Sequence, residues 1–324
     1  MAFMLVASRL PVKFWKRWAW QLLLATALLQ ILVVASPLGV RINGNRNWLQ
    51  ISGVPTIQPS EAIKVAVAVW LGTFVATKIQ NVQHWRRFLL PASIVTGSAI
   101  ALVTVGGDLG TTMILAAMVL GALYFARTPL KQLALTAAVE IGIALLVALS
   151  RANRVTRILS FLHPAAADPT GSGWQVLNGD YALASGGVFG VGLGNSHAKW
   201  DWLPAADTDF IFAIIGEELG LIGAATVLAL FVLLALVFVR IIRRSTDVFV
   251  ITVTGAIMVW IIAEAFVNIA VVLGMLPVLG VPLPFISSGG TALVSTLIAI
   301  GIVLSFARDQ NRPGQLGATA TRAH

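Results

Sequence analysis

The sequence predicts an all-α polytopic membrane protein with about eight transmembrane helices and one large extracytoplasmic loop. Three observations predict it. Of 324 residues, 58% are hydrophobic and only 11% are charged, and the mean hydropathy is +0.89. The apolar residues gather into eight runs near or above the ~20 residues that a bilayer core requires. Lys and Arg are shared unevenly: fifteen fall in the segments flanking one side of the runs, six on the other, and Lys64 within a run. Only helices satisfy their backbone in hydrocarbon over such lengths. Basic residues stay cytoplasmic, so both ends of the array are expected in the cytoplasm.

The runs are 18–38, 60–77, 88–105, 110–126, 132–150, 208–239, 247–273 and 286–307. Residues 1–17 are basic with apolar patches, and the first run reads as a retained span rather than a cleaved leader. The second opens QPSEAIKV, where Pro59 suits a first turn. Glu61 and Lys64 then share a helical face at i, i+3, the spacing of a structural ion pair. Glu140 sits near the middle of the fifth run, and Glu264 with Asn268 makes a polar face in the seventh. The sixth and seventh runs are long enough to tilt or to extend beyond the bilayer. The last is entered through PLPFISSGG (282–290), whose prolines and Gly289 and Gly290 predict a bent backbone bordering a cavity around Ser287.

Two connections stand out, 39–57 and 151–207. The second is far longer than a helical bundle needs, and long ordered loops tend to be functional. Arg151, Arg154 and Ile158 sit at i, i+3, i+7, which suggests an amphipathic helix on the membrane surface. The Gly-rich stretch 185–196 lacks the Gly-Lys-Ser/Thr ending of a nucleotide-binding loop. Residues 1–310 form one membrane domain, and 311–324 are expected to be a disordered tail. The net charge of +9 is accounted for by topology, aided by anionic lipid, and calls for no nucleic acid. With no Cys and four scattered His, neither disulfides nor thiolate or His-spaced zinc sites are expected.

The densest polar signal is PAADTDFIFAIIGEELG (204–220). Asp207 and Asp209 precede a short apolar run, and Glu217 and Glu218 follow it. A carboxylate at membrane depth costs roughly 2.5 kcal/mol or more, so four together point to an aqueous cavity or a paired polar site at the membrane boundary. A helix end whose carboxylates face water is the plainer alternative.

Several segments together resemble the SEDS (shape, elongation, division and sporulation) glycosyltransferases, the FtsW/RodA/SpoVE family, and most of all the actinobacterial FtsW branch. They are GVRINGNRNW (39–48), QPSEAIK (58–64), GGDLGTTMIL (106–115), DPTGSGWQ (168–175), GGVFGVGLGNSHAKWDWLPAADTDFIFAIIGEELG (186–220) and LPVLGVPLPFISSGGTALV (276–294). Set against that family's usual ten spans, this sequence starts just before the third. Asp207 stands where the family commonly has His, and Ser288 where it often has Tyr.

The resemblance implies a peptidoglycan glycosyltransferase that polymerises lipid II during division, in the bacterial cytoplasmic membrane at the septum. It carries Asp209 over as the catalytic carboxylate. The diphosphate leaving group would meet Arg46, Lys199, Arg151, Arg154 or a divalent cation. The resemblance leaves room for Mg or Mn at Asp207 and Asp209, and implies no organic cofactor. Glu217 and Glu218 would ligate a cation or hold the loop. The implied partners are a class B penicillin-binding protein transpeptidase and other division membrane proteins. Two other classes compete. A flippase or transporter would use Glu61, Lys64, Glu140 and Glu264, although no internal repeat supports it. A non-catalytic scaffold would need none of these groups.

Overall fold

A computed structural model of the chain describes residues 1–42, 45–50, 56–149, 172–200 and 203–310, with the single positions 53, 155 and 161. The helices are α1 (Ala2–Arg9), α2 (Val12–Ala35), α3 (Pro59–Lys78), α4 (Leu89–Gly106), α5 (Leu109–Phe125), α6 (Leu130–Leu149), α7 (Ser172–Gly186), α8 (Ile211–Arg244), α9 (Val248–Val272) and α10 (Gly290–Gln310). Seven are long and apolar enough to cross a membrane, and the 17-residue α5 is a shorter apolar helix beside them. These eight, α2–α6 and α8–α10, coincide with the eight apolar runs. The protein is an all-α polytopic membrane protein in which a single antiparallel hairpin, β1 (Gly39–Ile42) with β2 (Asn45–Leu49), is the described sheet.

α3 and α9 form the centre. α3 buries fourteen of its residues, including Ile63, Trp70 and Leu71, against α2, α5, α9 and α10. Small residues let the backbones approach, as packing in lipid favours. Gly72 faces Val253 and Phe249 of α9, Gly121 of α5 faces Val259, and Gly255 faces Phe125. α6 lies at the other extreme, with Thr136 its one buried residue.

Polar contacts sort the loops onto two faces. At one, the hairpin face, Gln58 Nε2 donates to Asp108 Oδ2 at 2.9 Å, and the Gln58 amide donates to Thr291 Oγ1 at 3.2 Å. Asp108 also caps α5, accepting from the Thr111 amide at 2.9 Å. At the other, Lys16 pairs with Asp247 at 2.8 Å, and Arg308 donates to the Arg9 carbonyl at 3.1 Å.

Three features depart from the sequence reading. The basic N-terminal stretch contains an apolar helix, α1, laid along α10. A Cβ on Gly301 would come within 2.6 Å of Ala7 Cβ. The 39–57 connection holds the hairpin, and the long loop holds α7. The sixth run folds as two helical pieces interrupted at Gly220, with φ 65 and ψ −163. The residues after the break, 221–244, make a span of about 36 Å at 1.5 Å per residue. The segment before it is a separate short helix on the hairpin face, so the run is two pieces and not one tilted span. The tail 311–324 and, apart from positions 155 and 161, the surface helix expected around 151–162 lie outside the described residues.

Candidate active site on the hairpin face

Every functional carboxylate predicted in 204–220 lies at this break or in the turn before it. Breaking an α-helix at Gly220 frees the carbonyls of residues 217 and 218 and the amides of residues 221 and 222. The Gly-rich loop takes up all four. The Val191 and Gly192 amides donate to the Glu217 and Glu218 carbonyls at 2.9 and 3.1 Å. The Leu221 and Ile222 amides donate to the Gly187 and Val188 carbonyls at 3.0 and 3.3 Å. The loop is thus spliced into the helix, and these four backbone groups keep partners across the break.

Glu217 lies 2% exposed behind that splice. Its carboxylate accepts from the Ser196 hydroxyl, from the His197 amide at 3.0 Å and from the Ala198 amide at 3.3 Å. It therefore ties down residues 196–198. Glu218 points the other way and pairs with Lys199 at 2.9 Å.

The turn 203–210 is fixed from two sides. The Ser287 hydroxyl donates to the Thr208 carbonyl at 2.6 Å and accepts from the Leu283 amide at 2.7 Å. Asn268 Nδ2 donates to the Asp209 carbonyl at 2.8 Å and to the Val281 carbonyl at 2.7 Å. Asn268, one member of the polar face predicted on the seventh run, is therefore a strut under Asp209. Asp209 is half-buried, and its Oδ2 lies 3.7 Å from where a Cβ on Gly280 would stand. Asp207 is exposed, and its Oδ2 accepts from the Ser288 hydroxyl at 2.7 Å. Asp207 and Ser288 are thus in direct contact.

Beside this turn opens a cleft of about 460 Å³, walled by Leu203, Pro204, Ala205, Ala206, Ile211 and Ile214, with Lys199 and Asp207 as its charged groups. Of the predicted cations that lie among the described residues, Lys199 borders it and Arg46 does not. The Arg46 guanidinium braces the start of the hairpin with two of its five N–H donors, reaching the Ser36 carbonyl at 2.5 Å and the Gly39 carbonyl at 3.3 Å. Arg151 and Arg154 lie outside the described residues. Gly289 and Gly290 lead into α10 and do not line the cleft. Among the described residues no three or more His, Cys, Asp or Glu side chains converge as metal ligands. Asp207 and Asp209 supply two carboxylates, and the hydrogen bond from Ser288 leaves lone pairs on Asp207, so any Mg or Mn held here would need water or substrate oxygens to complete its shell.

Deeper in the bundle, Lys64 lies 2.8 Å from Glu61 and 2.9 Å from Glu264, all three essentially buried. The Glu61 contact is an ion pair in distance only, since its Oε2 receives no well-directed hydrogen bond. Trp260 Nε1 donates to Glu264 Oε2 at 2.6 Å, and its ring lies 4.7 Å from the Lys64 amine. The sequence reading missed Glu264 as the third member. It also missed Trp260, although that residue stands four before Glu264 on the same face. Ser196 gave no signal at all. Glu140 lies in α6, half-buried, with one carboxylate oxygen lacking a hydrogen-bond partner among the described residues.

The family profile described as cell cycle protein, FtsW/RodA/SpoVE, matches residues 1–312. The chain belongs to the FtsW/RodA/SpoVE family. It is 40% identical over 305 residues to a probable peptidoglycan glycosyltransferase FtsW of Mycobacterium tuberculosis, covering 94% of this chain and 58% of that protein. It is 35% identical over 294 residues to the stage V sporulation protein E of Bacillus subtilis, covering 91% and 80%. The chain thus spans less than two thirds of its mycobacterial relative. A solved structure of a peptidoglycan synthase complex that coordinates polymerization and crosslinking superposes with a TM-score of 0.76. That match is at 24% identity and covers 96% of this chain and 87% of that one. The bundle described above is therefore the FtsW/RodA/SpoVE fold.

Proposed function

We propose that this chain is a peptidoglycan glycosyltransferase that polymerises lipid II into glycan strands on the extracytoplasmic face of the bacterial cytoplasmic membrane, at the division septum. One observation carries the reading. The turn 203–210, held by Asn268 and Ser287, carries Asp209 and also walls a cleft whose lining carboxylate is Asp207 and whose described cation is Lys199, with Asp209 next to the lining and not part of it. A lipid-linked sugar has its reacting centre at the membrane boundary, with its tail in the bilayer and its head in water.

Chain growth requires a sugar hydroxyl to attack the anomeric carbon of a second molecule while its lipid diphosphate departs. Asp209 takes the hydroxyl proton, a role worth 10²–10⁴-fold in typical general-base catalysis. Lys199 meets the charge that develops on the departing diphosphate, as fixed cations do at leaving groups. Ser287 and Asn268 hold the Asp209 backbone so that this geometry is set before substrate arrives. The partners we assign are a class B penicillin-binding protein transpeptidase and other division membrane proteins. The complex-forming relative supports the first of these.

The test is polymerisation of labelled lipid II by the purified protein with its transpeptidase. Asp209→Asn keeps the shape of the carboxylate but cannot accept a proton at neutral pH. It is expected to fold, to bind the partner and to lose about 100-fold or more in rate. Asp207→Asn, which retains an acceptor for Ser288, is expected to lose less than tenfold. The reverse order would make Asp207, the carboxylate on the cleft wall, the base. Wild type that moves lipid II between leaflets and forms no polymer would establish the flippase reading instead.

A further inference from the structure

We propose that Lys199 is a latched cation. Its amine is held by Glu218 until a lipid-linked diphosphate displaces that carboxylate, and Glu217 is the positioning residue that keeps the latch aimed at the cleft. The inference rests on the glycosyltransferase reading for its ligand class but stands on a separate set of contacts.

The loop carrying Lys199 has no regular secondary structure, yet its backbone is fixed. Its amides at 197 and 198 and the Ser196 hydroxyl all donate to Glu217, and the Lys199 amide donates to Ser196 Oγ at 3.2 Å. A buried carboxylate satisfied by main-chain donors is a rigid anchor, because each donor left unpaired inside the protein would be costly. The anchor leaves the Lys199 side chain as the movable part. That side chain is 28% exposed at the cleft rim. Its amine donates to Glu218 Oε1 at 2.9 Å and to the Gly194 carbonyl at 2.8 Å. An ammonium has three N–H donors, so one is left for a ligand among the described contacts.

Among the described residues, the charges beside this amine are Glu218 from α8, in contact with it, and Asp207 from the turn, which lines the same cleft. A diphosphate brings at least two negative charges to the same ammonium that Glu218 neutralises with one. The two anions therefore compete, and ligand binding should expel Glu218 toward solvent. The Glu218 side chain is already 15% exposed. Glu217 cannot take its place, since its oxygens are occupied by the loop.

The experiment measures equilibrium binding of undecaprenyl diphosphate in detergent and, in parallel, the KM and kcat for lipid II. Glu218→Gln keeps an acceptor for Lys199 but removes the competing charge. It is expected to tighten diphosphate binding three- to tenfold and to lower KM, with the change falling on KM and not on kcat. Lys199→Gln should weaken binding tenfold or more, and Lys199→Arg should restore most of it. In the double variant Lys199→Gln, Glu218→Gln the gain from Glu218→Gln should vanish. A gain that persists without Lys199 would overturn the latch, as would weaker binding in Glu218→Gln. Unchanged diphosphate binding in Lys199→Gln, with polymerisation intact, would sink this inference and leave the glycosyltransferase reading standing. Wild type that neither binds the diphosphate nor polymerises would remove both.

Discussion

Lys64 is one positive charge between two buried carboxylates, and that imbalance sets how its neighbours respond to mutation. Glu61 at i−3 holds it within α3, while Glu264 reaches it from α9. Removing Glu61 therefore leaves Lys64 with a partner. Removing Glu264 loosens Lys64 and also orphans the Trp260 N–H. Removing Lys64 leaves two carboxylates facing a dry interior. Breaking a buried pair by deleting one partner costs about 3–5 kcal/mol. We expect Lys64→Met at that level, Glu264→Ala next and Glu61→Ala least, with Glu61→Gln milder still. Thermal unfolding in detergent orders them, and Glu61→Ala proving as damaging as Lys64→Met would show that Glu264 does not share the charge. The pairing within α3 was readable from the i, i+3 spacing. The Glu264 arm was not, because it depends on α3 and α9 meeting across 200 residues of chain, which no local pattern encodes. The same holds for Ser196 and Glu217, where a hydroxyl and two amides find a carboxylate about twenty residues away through a loop with no period.

At the scale of elements, apolar run length placed the seven long apolar helices and the shorter α5 beside them, because the bilayer makes length and hydropathy decisive. It read α8 as continuous because helix breaks in lipid leave little trace in composition. The break is enforced by backbone geometry. Gly220 has φ +65 with an extended ψ, a region that is essentially restricted to Gly. A Cβ there would stand 2.5 Å from the Gly190 nitrogen and the Val188 carbonyl oxygen, in the loop that fills the break. Gly220→Ala therefore meets both backbone strain and a clash with main chain that cannot swing away. We expect about 3 kcal/mol of destabilisation from these together, and faster proteolysis of the 186–200 loop. Gly97 on α4, where a Cβ would meet nothing within 4 Å, is the control. There alanine should be neutral or should stabilise by up to about 1 kcal/mol. Equal melting temperatures for the two variants would mean that the loop is not locked into the helix. The hairpin and α7 went unread for a different reason. Both lie in connections, where polar sequence allows several structures and packing against the bundle selects one.

For the whole molecule, the alternation of eight spans and the sharing of basic residues must agree on one orientation. The contacts already define two faces: Lys16–Asp247 and Arg308–Arg9 on one, Gln58–Asp108 and the turn 203–210 on the other. Arg9, Lys16, Arg243, Arg244 and Arg308 belong to the first face, and the fifteen-to-six bias in Lys and Arg assigns it to the cytoplasm. The candidate active site then faces out, where a lipid-linked sugar displayed on the outer leaflet can reach it without passing the bundle. The sequence lacks Cys, so single cysteines report position without background. Leu193 is 77% exposed in the loop spliced into α8. A cysteine replacing it is expected to react with a membrane-impermeant maleimide in intact cells, and one replacing Ser245, in the turn after Arg244, only after the membrane is opened. The reverse pattern would put Asp209 and Lys199 in the cytoplasm. That would be incompatible with polymerising an outer-leaflet substrate, however well the cleft geometry fits one. Labelling at both positions in intact cells would show that the spans do not alternate as the eight apolar runs require.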